Sequence, residues 1–199
     1  MKKLFKILIL FAVALSLFAC NKKNDVNTKA NKTKEVETKT ASSIELSEMP
    51  IERFDFQTMD IMDGNVIKSE DFYKEKNLTL VNVWGTFCGP CKEEMPDLGK
   101  LHEEYKDKVN FLGVVVDTNA SMDTNVEEGQ KIIKDSGVNY TNIMPNPTTE
   151  DSLVNITAIP TTFFVNSEGK VLGGFVGQQD KDSIAATIDK LLEEINNFY

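Results

Sequence analysis

The sequence predicts an α/β domain: a mixed central β-sheet with helices on both faces and an N-terminal β-hairpin ahead of it. Three observations predict it. Two short apolar runs, Leu78–Trp84 and Val109–Val116, enclose a helical pattern, and a strand–helix–strand crossover requires parallel strands. Thr161–Asn166 and Lys170–Val176 alternate around Ser167-Glu168-Gly169, the pattern of an antiparallel hairpin. A closing helix repeats Ile184, Ile188, Leu191, Leu192 and Ile195 at helical spacing.

The chain opens with an address rather than a fold. Lys2, Lys3 and Lys6 precede an apolar run from Ile7 to Ala19, broken only by Ser16, which is the pattern of a secretory signal peptide. As a helix the run reaches roughly 20 Å, short of a hydrocarbon core of roughly 30 Å. It ends in Leu17-Phe18-Ala19-Cys20, which resembles the lipobox of bacterial lipoproteins and implies lipidation of Cys20 with cleavage before it. The alternative, a free thiol at Cys20, leaves an unpaired cysteine in an oxidising compartment. Residues 20–49 are polar and expected to be a disordered tether of about 30 Å typical reach. Residues 50–199 form the predicted domain.

Within that domain, Phe54–Ile61 and Asn65–Ile67 read as the hairpin, turned at Met62-Asp63-Gly64. Cys88–Tyr105 reads as a helix with Cys91, Met95, Leu98, Leu101 and Tyr105 on one face. A weaker helix is expected near Val126–Ser136, stopped by Gly137, then a strand at Tyr140–Met144 and a short helix at Thr148–Asn155. No internal repeat is visible.

The 199 residues carry 22 Lys plus Arg against 31 Asp plus Glu, a net charge of −9. From Pro50 onward acids outnumber bases two to one, which excludes a nucleic-acid partner because phosphate neutralisation needs a basic surface. With His102 the sole histidine, sites needing several imidazoles are also excluded.

The chemistry concentrates in Trp84-Gly85-Thr86-Phe87-Cys88-Gly89-Pro90-Cys91, at a strand-to-helix junction. Cys88 at the helix start sits near unpaired N–H groups and the positive end of the helix dipole, which favours its thiolate. Pro90 suits the first turn, where a missing N–H costs nothing. Cys91 shares the buried stripe with Met95 and Leu98, so an exposed attacking thiol and a shielded resolving thiol are expected. Half a zinc site and a structural disulfide are the alternatives. The first lacks a second cysteine pair, and the second removes little loop entropy. A CxxC within a strand–helix–strand unit reads as redox.

In these residues the chain resembles the TlpA/ResA family of membrane-tethered thiol-disulfide oxidoreductases, members of the thioredoxin superfamily. The resemblance spans about Pro50 to Phe198. It is carried by the hairpin, Val83–Cys91, Pro96 and Ala158-Ile159-Pro160-Thr161-Thr162. It implies a thioredoxin fold, a cis Pro160 beside the disulfide, and an Ile159 backbone that pairs with an extended substrate. Thioredoxins place a buried Asp where this chain has Asn82. The resemblance then points to Glu94, one turn beyond Cys91, as a functional carboxylate; the alternative is a solvated helix residue like Glu93. Phe87 stands where thioredoxins have Trp, keeping an apolar rim. Trp84 packs either beside the disulfide, as the family favours, or simply in the core. His102 reads as a surface filler.

The expected reaction is thiol-disulfide exchange outside the cytoplasm, with Cys88 attacking a substrate disulfide and Cys91 resolving the mixed disulfide. Two sulfurs suffice, without metal or organic cofactor. The Gly-Pro spacer matches thioredoxin, near about −270 mV, rather than DsbA, near about −120 mV, so a reductase is expected. The resemblance implies a membrane thiol relay of CcdA or DsbD type as electron donor, and exported disulfide proteins such as apocytochrome c as clients. A thiol peroxidase requires Thr and Pro three and seven residues before the cysteine; here those positions are Gly85 and Val81. A binding lipoprotein with inert cysteines is the non-enzymatic alternative.

Overall fold

The computed structural model describes residues 43–119 and 124–197. The signal-peptide reading of residues 1–19 and the lipidation of Cys20 lie outside them. In chain order the elements are β1 (Gln57–Met59), β2 (Val66–Lys68), α1 (Ser69–Tyr73), β3 (Leu78–Trp84), α2 (Gly89–Tyr105) and β4 (Val109–Val115). Then follow α3 (Val126–Asp135), β5 (Thr141–Ile143), α4 (Pro147–Leu153), β6 (Thr161–Asn166), β7 (Val171–Val176) and α5 (Lys181–Asn197).

The main sheet runs β5-β4-β3-β6-β7. β3 is parallel to β4 and β4 to β5, whereas β6 is antiparallel to both β3 and β7. Every residue of β3 and β4 is buried, because helices cover both faces and alternation has no solvent side to report. Leu78, Leu80, Trp84, Phe111 and Phe164 face one core with Cys91, Met95 and Leu98 of α2 and Ile184 and Ile188 of α5. Val81, Val83, Leu112, Val114, Phe163 and Val165 face the other, with Tyr73 and Leu153. This is the mixed, two-face-covered sheet that the sequence predicts.

The hairpin is present but shorter than Phe54–Ile61 and Asn65–Ile67. β1 and β2 pair antiparallel from Gln57↔Lys68 to Met59↔Val66. Phe54 and Phe56 are instead core aromatics: Phe54 meets Phe163 edge-on at 5.3 Å, and Phe56 meets Tyr73 at 6.0 Å. The turn closes where expected, with Gly64 at φ 73 donating to Asp60 O. α1 is not expected from the sequence, since a five-residue helix is too short to display a period.

The folded part also starts earlier than Pro50. Ser47 exchanges both backbone hydrogen bonds with Gly174 on the β7 edge, at 3.0 and 3.1 Å, and Ile44 N–H donates to Thr187 Oγ1 at 2.8 Å. Ile44, Leu46 and Met49 pack against the two cores. Residues 44–49 thus leave the expected tether and act as an edge cover for β7.

Candidate active site

Cys88 and Cys91 form a disulfide with Cα atoms 5.3 Å apart. β3 ends at Trp84, and the four residues after it turn the chain into α2. Cys88 occupies the N-cap of α2, and its Sγ accepts the Cys91 N–H at 3.2 Å. That amide is one of the orphan donors of a helix start, so a sulfur there gains both a hydrogen bond and the dipole's positive end. Pro90 lies in the first turn and, with Gly89, is exposed.

Burial differs from expectation at the first cysteine. Cys88 is only 6% exposed and Cys91 only 1%, because in the disulfide the Cys88 sulfur is bonded to its buried neighbour. The exposed apolar member of the motif is Phe87, at 72%. Phe87 and Ile159 line a recess of about 430 Å³ together with Val83, Val116, Leu153, Ile156 and Ala158.

The loop leading into Cys88 is strapped from two sides. Asp117, just past β4, accepts the Thr86 N–H at 2.9 Å and the Thr86 hydroxyl. Lys92 Nζ donates to Thr86 O at 3.0 Å, and Cys88 N–H to Gly85 O. Sequence reading missed Asp117 and Lys92 here, because contacts 31 and 6 residues apart leave no local pattern.

Trp84 is fully buried in the core cluster that holds both cysteines, and its Nε1–H donates to Asn142 Oδ1 at 3.0 Å. The Ile159–Pro160 peptide is cis, and Ile159 Cδ1 closes against Gly85. Pro160 O accepts the Gly177 N–H at 2.7 Å.

Glu94 is not a solvated residue like Glu93. It is 2% exposed, with Oε1 accepting the Gln179 N–H at 3.1 Å and Oε2 facing Asn82 Nδ2 at 3.4 Å. Burial pushes its carboxyl up to about 7, partly offset by those two donors. His102 is half-buried rather than a surface filler. Its ring meets Phe111 and Tyr140 edge-on, and Nδ1 sits 2.7 Å from Asn139 Oδ1. Among the described residues, no group of three or more His, Cys, Asp or Glu is placed to hold a metal ion.

Residues 47–192 match the Redoxin family model. Thiol-disulfide oxidoreductase ResA of Bacillus cereus is 27% identical over 130 residues, covering 65% of this chain and 71% of that protein. Thiol:disulfide interchange protein HelX of Rhodobacter capsulatus is 28% identical over 120 residues, covering 60% and 63%. Among solved structures, a thioredoxin-family thiol:disulfide interchange protein from Chlorobium tepidum superposes with a TM-score of 0.61 at 23% identity. That match covers 73% of this chain and 99% of that one.

Proposed function

The chain belongs to the Redoxin family, and from that membership we propose that it works as a membrane-anchored, extracytoplasmic reductase of disulfides in exported proteins. It is a thioredoxin-fold thiol-disulfide oxidoreductase whose redox pair is Cys88 and Cys91. The observation that carries the catalytic reading is Cys88 at the N-cap of α2, its sulfur accepting the Cys91 amide.

In the reduced enzyme the Cys88 thiolate attacks one sulfur of a substrate disulfide. The substrate S–S bond breaks, a Cys88–substrate bond forms, and the other substrate sulfur leaves as thiolate. Cys91 then attacks Cys88 Sγ, expelling the second substrate sulfur and leaving the Cys88–Cys91 disulfide. The proton lost from Cys91 needs a nearby base, and Glu94 is the buried carboxylate one turn along α2. Ile159 and Pro160 supply the substrate-pairing backbone, and Phe87 with Gly89 and Pro90 the exposed rim. Trp84 forms the buried floor.

The Gly-Pro spacer supports the reducing direction. The Lys-rich apolar start and Cys20 support a lipid anchor and with it exported clients, and the relatives' names support exchange with disulfides. Electrons must then arrive through the membrane, from a thiol relay of CcdA or DsbD type. Apocytochrome c is the client class this reading favours.

Reduction of insulin disulfides with dithiothreitol as donor is expected for the wild-type domain and absent for Cys88→Ser. Activity that survives the substitution would hand the chain to the non-enzymatic reading. Trapping with Cys91→Ala in cells identifies the client as a covalent adduct on Cys88.

A further inference from the structure

Asn82 lies on β3 on the same side as Trp84, facing α2. Its Nδ2 reaches two oxygens: Thr162 Oγ1 on β6 at 3.0 Å and Glu94 Oε2 on α2 at 3.4 Å. All three residues are buried, at 1%, 1% and 2% exposure. An amide nitrogen carries two hydrogens, so one group bridges both acceptors. Thr162 stands two residues after the cis Pro160, in the strand that continues the substrate-pairing segment. The other Glu94 oxygen is held by Gln179 N–H, and Gly177, two residues earlier, donates to Pro160 O. The hydrogen bonds therefore run from the substrate segment to the carboxyl by two routes, one through Asn82 and one through the turn after β7.

We propose that Asn82 is a positioning residue that fixes the Glu94 carboxylate between the substrate-pairing strand and Cys91, orienting it to take the Cys91 proton during resolution. This rests on the reading of Glu94 as that proton acceptor. An amide donor at residue 82 stabilises the ionised carboxylate without placing a second negative charge beside it. An Asp there would set two carboxyls against each other. The other ionisable groups acting on Glu94 are Asp97 on its own helix and Tyr140, whose buried hydroxyl precedes β5. In the reduced protein the Cys91 thiol joins them.

The test isolates the resolving step. The reduced protein is mixed with a symmetric aryl disulfide; Cys88 attacks it, breaking the aryl S–S bond, forming the Cys88–aryl mixed disulfide and releasing one aryl thiolate in a fast first phase. Cys91 attack then forms Cys88–Cys91, breaks the bond to the second aryl sulfur and releases a second coloured aryl thiolate, while the Cys91 proton passes to Glu94. The release rate is followed against pH for wild type, Asn82→Leu and Asn82→Asp, each also with Glu94→Gln.

Loss of the donor in Asn82→Leu is expected to move the midpoint of the profile up by about half a pH unit or more. In Asn82→Asp, which is nearly isosteric and serves if the leucine variant does not fold, the upper step is expected to rise by about one unit or more. In the Glu94→Gln background neither substitution is expected to move the profile further. Unmoved midpoints in folded Asn82 variants, over a wild-type profile that depends on Glu94, overturn the proposal alone. The same holds for equal shifts with and without Glu94. A wild-type profile indifferent to Glu94→Gln overturns the Glu94 reading and this proposal with it.

Discussion

Glu94 shows how one buried side chain couples chemistry to stability. Desolvation raises its carboxyl to about 7 from an ordinary 4.5, so the folded protein holds a proton that the unfolded chain releases. Its contribution to stability is therefore full below about pH 4.5 and lost as pH rises through about 7. Relative to Glu94→Gln, the oxidised wild type is expected to lose stability over that window, by at most about 3 kcal/mol, in urea melts at a series of pH values. A constant difference between the two proteins would show that the carboxyl ionises normally. The single tryptophan offers a second residue-scale prediction. A Cβ on Gly113 would lie 1.8 Å from Asn142 Oδ1 and 3.1 Å from Trp84 Nε1, so the indole's partner fills the space a side chain there would need. Gly113→Ala is expected to cost about 1–3 kcal/mol and to alter Trp84 fluorescence. An unchanged urea midpoint and spectrum would count against the bond. Of these residues, the sequence makes Cys88, Cys91 and Pro160 legible through local motifs. It leaves Glu94 open between two readings, because only the sheet and the turn at Gln179 decide what covers it.

Elements with a strong period or stop signal in the sequence form where that signal places them. α5 and β6 appear as predicted, and α3 ends before Gly137, which sits at φ 70. The hairpin shrank because Phe54 and Phe56 satisfy themselves in an aromatic cluster rather than in a ladder. Residues 44–49 depart from the expected tether for a related reason. Their few apolar side chains look too sparse for a core, and only the exposed β7 edge supplies partners for the backbone of Ser47. The edge is shaped for this contact: a Cβ on Gly174 would come within 2.4 Å of Thr162 O and 2.8 Å of Met49 Sδ. Deleting the chain through Met49 is therefore expected to lower domain stability by about 2–3 kcal/mol, from lost burial of Ile44, Leu46 and Met49 plus the paired amides. Denaturant midpoints of the domain with and without the segment measure it; equal midpoints would return these residues to the tether.

Over the chain as a whole, an acidic domain that carries its redox pair where β3 ends and α2 begins follows, in sequence, a basic and then apolar start. Cys20→Ala is expected to move the protein from the membrane to the soluble fraction on cell fractionation, while insulin reduction by the released protein stays intact. Retention in the membrane pellet would remove Cys20 as the anchor. No helix among the described residues is long and apolar enough to cross a membrane. The α/β class, the parallel and antiparallel halves of the sheet, and the two cysteines at a helix start are all legible in the amino-acid order alone. Each of these is written in local spacing, where backbone geometry turns pattern directly into structure. Folding alone buries Glu94, brings Asn82 to both it and Thr162, lets Asp117 and Lys92 strap the Cys88 loop, and lays residues 44–49 along β7. Those contacts join residues far apart in the chain, and solvent exclusion and hydrogen-bond geometry exist only once the sheet has brought them together.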